Sequence, residues 1–403
     1  MFVVVFTIEC FFWSTAFFVD GRRTTMLKIK GYKFKLEPTF DQHVLFCRTF
    51  GCVRFVYNHF LSLCKNIYEL EGTSISYGKQ ASMLVELKKE KDFLKEVDSI
   101  ALQQALKHLQ KAYKNFFEHP ETGYPKFKKK NKSRFAYTTM MVNNNIKIGD
   151  NYVVLPKVGK VKMRKHRQIP QGARITSATV SRTPTGKYHV SFQCEYEADK
   201  AEKKIDTNNS LGLDFAMDGL YIASDSSCGG YPKYYKKMEK KLAREQRKLS
   251  RCKKYSNNYK KQNKRITKIH EKIANQRKDF LHKLSYSIAN EYDVVCIEDL
   301  DMKKMAEESG LGKSIYDNGW GMFTNELAYK LDERGKVLVK IDRWYPSSKT
   351  CSECGYVIPA LELSQRSWEC PKCGKMHHRD VNASRNILRE GLKIAKEKYA
   401  LSA

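Results

Sequence analysis

Acids are scarce in this 403-residue chain, where 44 Asp and Glu face 74 Lys and Arg for a formal charge of +30. Such an imbalance points to a polyanionic partner, with solubility or nonspecific stickiness as the plain alternative that the location of the charge decides. Two nucleotide signatures are also missing, the P-loop and the dinucleotide-binding fingerprint, which removes the common routes to nucleotide hydrolysis and hydride transfer. The 12 cysteines do not form a dense secreted disulfide framework, since eight stand singly and four make two C-x2-C pairs; a reducing compartment is the expectation. No internal repeat is present, and the one polar linker, "ADKAEKKIDTNNS" at 198–210, reads as a domain boundary. With 41% hydrophobic residues, a chain of this length can bury two or three separate cores.

Long apolar runs are confined to the start. "MFVVVFTIECFFWSTAFFVDGRR" has no cations ahead of its apolar part and no A-x-A cleavage site, so it does not read as a secretory signal. Glu9 makes it a marginal membrane span. Residues 1–25 are expected to be an apolar extension outside the functional fold, with Met26 opening a pattern that reads as a protein start and with no membrane partner.

The positive charge is concentrated. Between Lys233 and Lys283 there are 20 Lys or Arg against four acids, about half the excess in an eighth of the chain. Sparse apolar positions at helical spacing, interrupted by "SNN", predict two helices joined by a turn. A solvated coiled-coil face is the plain alternative, but the imbalance of signs favours helices that track phosphates, with Arg244, Arg247, Lys248 and Arg251 as candidate contacts. A second patch, "GYPKFKKKNKSRFAY", mixes Lys126, Lys128, Lys129, Lys130 and Arg134 with Tyr124, Phe127, Phe135 and Tyr137. Aromatics among cations suit stacked bases as well as phosphates.

"MLKIKGYKFKLEPT" alternates like a half-buried strand, and Thr39 with Gln42 predicts a capping box for the helix that follows. From Asp98 or Ser99 to Pro120 an amphipathic helix presents Leu102, Leu106, Leu109, Tyr113 and Phe116 on one face. Residues 135–197 change to short strands and turns, predicting a small antiparallel barrel joined by the strand near Met26, with the helices of about 45–120 inserted.

Three acids stand out beyond the linker. Asp214 in "LGLDFAMDGLYIASD" falls on the first strand of a tight hairpin. In "YDVVCIEDL" Glu298 sits at the carboxyl end of the apolar run Val294–Ile297, which predicts a strand buried on both faces, and that end of such strands is where ligands bind. Asp380 in "HHRDVNASRNILREGLKIAKEKY" opens a helix; alone it would read as a first-turn acid favoured by the helix dipole. Together the three have the layout of an RNase H-like fold, in which carboxylates hold two Mg²⁺ ions for phosphodiester hydrolysis, with Mn²⁺ as a substitute. Cys351, Cys354, Cys370 and Cys373, each pair followed by a glycine, predict a four-thiolate zinc ribbon rather than a redox pair. Because four thiolates fill the site, His377 and His378 are expected to face solvent or nucleic acid.

"YKFKLEPTFDQ", "FGCVRFVYNHFL", "LGLDFAMDGLY", "CIEDL", "YPSSKTCSECG", "WECPKCG" and "RDVNASRNIL", spread from Met26 to about Ala395, resemble the TnpB family of insertion-sequence proteins, RNA-guided DNA nucleases related to type V CRISPR effectors. The resemblance implies a multidomain α+β chain: a wedge-type β-barrel over 26–48 and 125–204, a helical recognition lobe over 49–124, and a RuvC-like nuclease domain over 205–403. The last would include the basic helices at 233–290 and the ribbon at 346–376. It implies a guide RNA from the element's end, double-stranded target DNA beside a short motif, a functional link to a transposase, a cytoplasmic or nucleoid location, and Asp214, Glu298 and Asp380 as catalytic acids. A guide-dependent DNA-binding protein that regulates without cutting is the alternative. The chain departs from the family pattern at Phe215-Ala216 and at His378, where relatives often carry glycine and aspartate.

Overall fold

A computed structural model describes residues 25–130, 132–199, 205–362 and 364–399. The apolar segment at 1–24 lies outside them, and Thr25 already belongs to the first strand. The chain divides into two compact units, one up to Asp199 and one from Lys200. Among the described residues, no helix is long and apolar enough to cross a membrane.

In the first unit, β1 (Thr25–Glu37) is followed by α1 (Phe40–Glu71), α2 (Tyr77–Glu90) and α3 (Ser99–Glu118), then by β2 (Phe135–Met140), β3 (Lys147–Ile148), β4 (Tyr152–Leu155), β5 (Gly159–Arg164), β6 (Arg174–Arg182) and β7 (Tyr188–Asp199). The strands form one antiparallel sheet in the order β2-β6-β7-β1-β5-β4-β3. Alternation drives the pairing: Tyr188, Val190, Phe192 and Cys194 point inward along β7 and meet Phe34 and Leu36 of β1. The capping box forms as predicted, with Thr39 N–H donating to Gln42 Oε1 and Gln42 N–H to Thr39 Oγ1. Helix α1 then runs unbroken to Gly72 in the left-handed region, so the domain limit placed at 48/49 falls inside one helix. The sheet is open rather than the closed barrel expected, because edge β2 packs against α1 and α3 instead of pairing with β3. A covered edge needs no strand partner. The Thr139 hydroxyl donates to Asp98 Oδ2 at 2.5 Å while Asp98 caps α3, which ties that helix to β2.

The second unit contains β8 (Ser210–Ala216), β9 (Leu220–Ala223), α4 (Tyr234–Ser250), α5 (Asn257–Glu291), β10 (Val294–Glu298), α6 (Met302–Glu308), α7 (Gly312–Asn318), α8 (Trp320–Asp332), β11 (Val337–Ile341), β12 (Ser367–Glu369), β13 (Met376–His378) and α9 (Arg379–Tyr399). The order is β11-β10-β8-β9, with β10 parallel to β8 and β11 and with β9 antiparallel to β8. Along β10, Val295 and Ile297 pack on α5 and α8, whereas Val294 and Cys296 pack on α9. Leu211 and Leu213 of β8 join the α5/α8 side, and Gly212 faces α9. A Cβ at Gly212 would collide with Ser384 O, and one at Gly391 of α9 would collide with Cys296 Sγ, so both glycines let helix and sheet approach closely.

Candidate active site and metal centre

Period-two geometry decides which way the strand acids point. Side chains alternate between faces, so Asp214 shares the α9 side with Gly212, and Glu298 shares it with Val294 and Cys296. Leu213 and Ile297 are register partners, which makes Asp214 and Glu298 the next residues side by side on neighbouring strands. Asp380 stands in the first turn of the helix laid across that same face. The sequence-predicted acids therefore converge on the α9 face of the two central strands, all three half-buried.

Their electrostatics agree. Burial pushes the Asp214 carboxyl well above its ordinary range, and the negative charges of Glu298 and Asp380 push it further; the Arg379 guanidinium and the Phe215 N–H act in the opposite sense. Glu298 is raised by burial and held back by the Ser347 hydroxyl, which donates to Glu298 Oε1 at 2.5 Å. Asp380 faces Arg366, whose Nη1 lies 3.4 Å from both carboxylate oxygens. That arginine is largely exposed, so the pair is weak.

Cys351, Cys354, Cys370 and Cys373 have all four Sγ atoms within 4.8 Å of one another. Among the described residues they form the one group of three or more His, Cys, Asp or Glu side chains gathered to hold an ion; the three acids are not packed that tightly. Sulfur separations of 3.7 Å for Cys351–Cys373 and 3.6 Å for Cys354–Cys370 suit a tetrahedral ion, whose bonds of about 2.3 Å imply edges of about 3.8 Å. Each pair sits in a knuckle: Gly355 N–H donates to Cys351 O and Gly374 N–H to Cys370 O, both glycines at positive φ. His377 departs from expectation. It is buried against the Trp368 ring, with Nε2 3.1 Å from Cys351 Sγ, because pairing of Trp368 with His377 across β12 and β13 turns both rings into the ribbon's small core. His378 is exposed as expected.

The ribbon is fastened to α9 on both sides. Asn382 Nδ2 donates to Thr350 O at 2.7 Å, Asn386 Nδ2 donates to Ser347 O and Thr350 O, and Ser352 N–H donates to Asn382 Oδ1. On the exit side, Arg379 N–H donates to Arg366 O at 2.8 Å. Asn382 and Asn386 are spaced i,i+4 on one helix face, a signal legible in "NASRN". Another pair was not legible. Buried Asp317 accepts from Tyr235 N–H at 3.0 Å and from Arg277, supplying the N-terminus of α4 that its own N-cap, Lys233, leaves uncapped. Its neighbour Asn318 donates to Ala216 O at the end of the Asp214 strand. Long-range caps of this kind leave no local spacing to read.

The basic candidates divide. Helices α4 and α5 form the predicted hairpin, joined by Leu242 against Ile266, Ile269 and Ile273 and by Gln262 donating to Glu245. Ser256 of the "SNN" stretch caps α5. Arg244, Arg247, Lys248 and Arg251 are all exposed, and Arg244 and Lys248 also flank the buried Glu245. In the first unit Lys126, Lys129, Lys130 and Arg134 are exposed. Lys128 is turned inward, its Nζ 3.7 Å above the Tyr57 ring, and burial lowers its pKa to about 8. Asn58 pins the Lys128 backbone from both sides, which is why that cation packs inward rather than outward.

Three family profiles match the chain: OrfB_IS605, described as "Probable transposase", over 191–309; a Cas12f1-like TNB domain over 320–387; and a helix-turn-helix domain over 26–73. In this structure 26–73 holds one strand and one long helix. A Streptomyces pristinaespiralis protein named "Putative RNA-guided DNA endonuclease" is 38% identical over 368 residues, 90% of this chain and 89% of that one. InsQ of Escherichia coli K12, which bears the same description, is 35% identical over 91% of this chain and 93% of its own. A solved Cas12f1–sgRNA–target DNA complex aligns with 90% of this chain and 99% of that one at 13% identity and a TM-score of 0.49.

Proposed function

The chain belongs to the TnpB family (OrfB_IS605), and from that premise we propose that it is the RNA-guided DNA endonuclease of a transposable element, cutting at Asp214, Glu298 and Asp380. The observation that carries this proposal is the meeting of three carboxylates on the α9 face, where burial first, and then the charges of Glu298 and Asp380, raise the Asp214 carboxyl. A protein seldom buries such repulsion unless something relieves it. Hard carboxylate oxygens suit Mg²⁺ or Mn²⁺, and ions bound there supply an activated water and stabilise the leaving oxygen. The chain's own residues do the positioning. Asp214 and Glu298 are fixed by strand register, Ser347 orients Glu298, and Asp380 rides on a helix anchored through Asn382 and Asn386. The four thiolates fit Zn²⁺ in a bracing role.

In this assignment the open sheet serves as the wedge and α1 to α3 as the recognition lobe. Residues 205–403 serve as a RuvC-like nuclease domain, and the exposed cations of α4 and α5 run along guide RNA or heteroduplex through backbone and shape. A guide from the element's end, target DNA beside a short motif, and a neighbouring transposase are the implied partners. The test is to purify the protein from its host, sequence the RNA it carries, and offer that complex a plasmid matching the RNA. A single element-end transcript and divalent-dependent cutting at the match are expected. Random cellular RNA with no cutting would overturn the proposal.

Ser347→Ala removes the donor to Glu298. A hydrogen bond to a charged group contributes about 1.5 kcal/mol or more, equivalent to about one pH unit. The acidic limb of the cleavage-rate profile should move upward by about that much with target binding unchanged, and Ser347→Thr should restore it. An unmoved limb would show that Ser347 does not hold Glu298 for catalysis.

A further inference from the structure

The turn between β11 and the ribbon carries a side chain that no step above uses. Trp344 is 81% exposed, whereas Trp320 and Trp368 are 3% exposed each. An indole left in water forgoes a large apolar gain, and its direction here is fixed. Trp344 N–H donates to Asp342 Oδ1 at 2.7 Å and Tyr345 N–H to Asp342 O at 3.2 Å, closing a tight turn. Tyr345 packs into the core beneath α9, which turns Trp344 outward. Both ends of the turn are attached to Glu298: Ile341 is its register partner on β11, and Ser347 donates to its carboxylate. The turn that carries Trp344 therefore forms a rim of the carboxylate site, on backbone held at both ends.

The cations that flank the turn are paired with an acid. Lys340 Nζ lies 2.8 Å and Arg343 Nη2 3.9 Å from the Asp299 carboxylate, and Asp342 closes the turn. With those cations paired, the exposed π-face is what the turn offers a ligand, and a nucleobase presents a matching face whatever its identity. A strand whose phosphate lies among Asp214, Glu298 and Asp380 has its neighbouring bases at this rim. Resting on the assignment of those acids as the cutting site, we propose that Trp344 is a stacking platform for an unpaired base of the DNA strand being cut, next to the scissile phosphate.

Two measurements on the full chain test this. Titration with a twelve-residue oligothymidylate should quench tryptophan emission in the wild type and leave Trp344→Phe nearly unquenched; equal quenching in both would overturn the proposal. In the guide-loaded complex, Trp344→Leu should lower kcat/KM on the order of 5- to 150-fold, the range of a single base–aromatic stack, while Trp344→Phe keeps most of it. An abasic nucleotide placed along the cut strand should find one position where the Leu variant has no further effect. Leu and Phe behaving alike, or no such position, would sink the platform. The quenching requires no cleavage, so a wrong cutting site with intact quenching separates failure of the acids from failure of Trp344.

Discussion

Asp214→Asn is expected to abolish cleavage and, in divalent-free buffer at neutral pH, to raise the melting temperature of the nuclease unit. Both effects come from one cause. Asp214 is raised above its unfolded pKa by burial and by Glu298 and Asp380. A carboxyl whose folded pKa is raised contributes stability below its unfolded pKa, and that contribution is lost as pH rises through the folded pKa. At neutral pH the ionised group is a liability, which the neutral amide removes at nearly constant volume. The stability gap between variant and wild type should therefore shrink as pH is lowered. Divalent ions should stabilise the wild type by about 2.7 kcal/mol at a hundred times the dissociation constant, roughly 5 to 11 °C for a unit of this size, and should do much less for the variant. Cleavage should fall by about 10³-fold or more, the scale on which members of a catalytic unit act, while guide and target binding persist. An Asn variant that still cuts, or one that melts lower than wild type without divalent ions, would show that the charge cluster is not the cutting site.

Cys370→Ser should remove a second metal and silence the same reaction from a residue that touches no carboxylate. Structural four-thiolate sites contribute on the order of 10 kcal/mol to the fold of small metal modules. The ribbon is fixed to α9 through Asn382 and Asn386, and the same stretch of chain carries Ser347 to Glu298. Its exit runs directly from β13 into the turn that bears Asp380. Loss of the ion should loosen both acids together. Elemental analysis should find one zinc per wild-type chain and about none in the variant; hydrogen exchange should accelerate in β12 and β13, and kcat should fall by about 10²-fold or more. A variant free of zinc that cuts at the wild-type rate would reduce the ribbon to an ornament of the fold.

The parts legible in the sequence are those whose signal is local. Continuous apolar character in Val294–Ile297 marks a strand buried on both faces, and the alternation in "LGLDF" sets Gly212 and Asp214 apart from Leu211, Leu213 and Phe215. The cysteine knuckles and the Thr39 capping box are short-range geometry and formed as read. What escaped depends on distant partners. His377 is buried because Trp368 pairs with it across a hairpin. Lys128 turns inward because Asn58 and Tyr57 of another element receive it. The sheet stays open because helices cover β2, and Asp317 caps a helix some eighty residues earlier in the chain. None of these leaves a periodicity, and each is settled by which surfaces are left to cover once the local elements exist.

Gly212 and Gly391 are a spacing gauge. With no methyl group at either position, α9 rests directly on β8 and β10, and the separation between Asp380 and the two strand acids is set at places that hold neither charge nor metal. A relative could keep all three carboxylates and all four cysteines and still be unable to cut if either glycine had acquired a side chain. Whether such a chain is a nuclease or only a guided binder would then rest on the missing carbon atoms behind the face that bears its three acids.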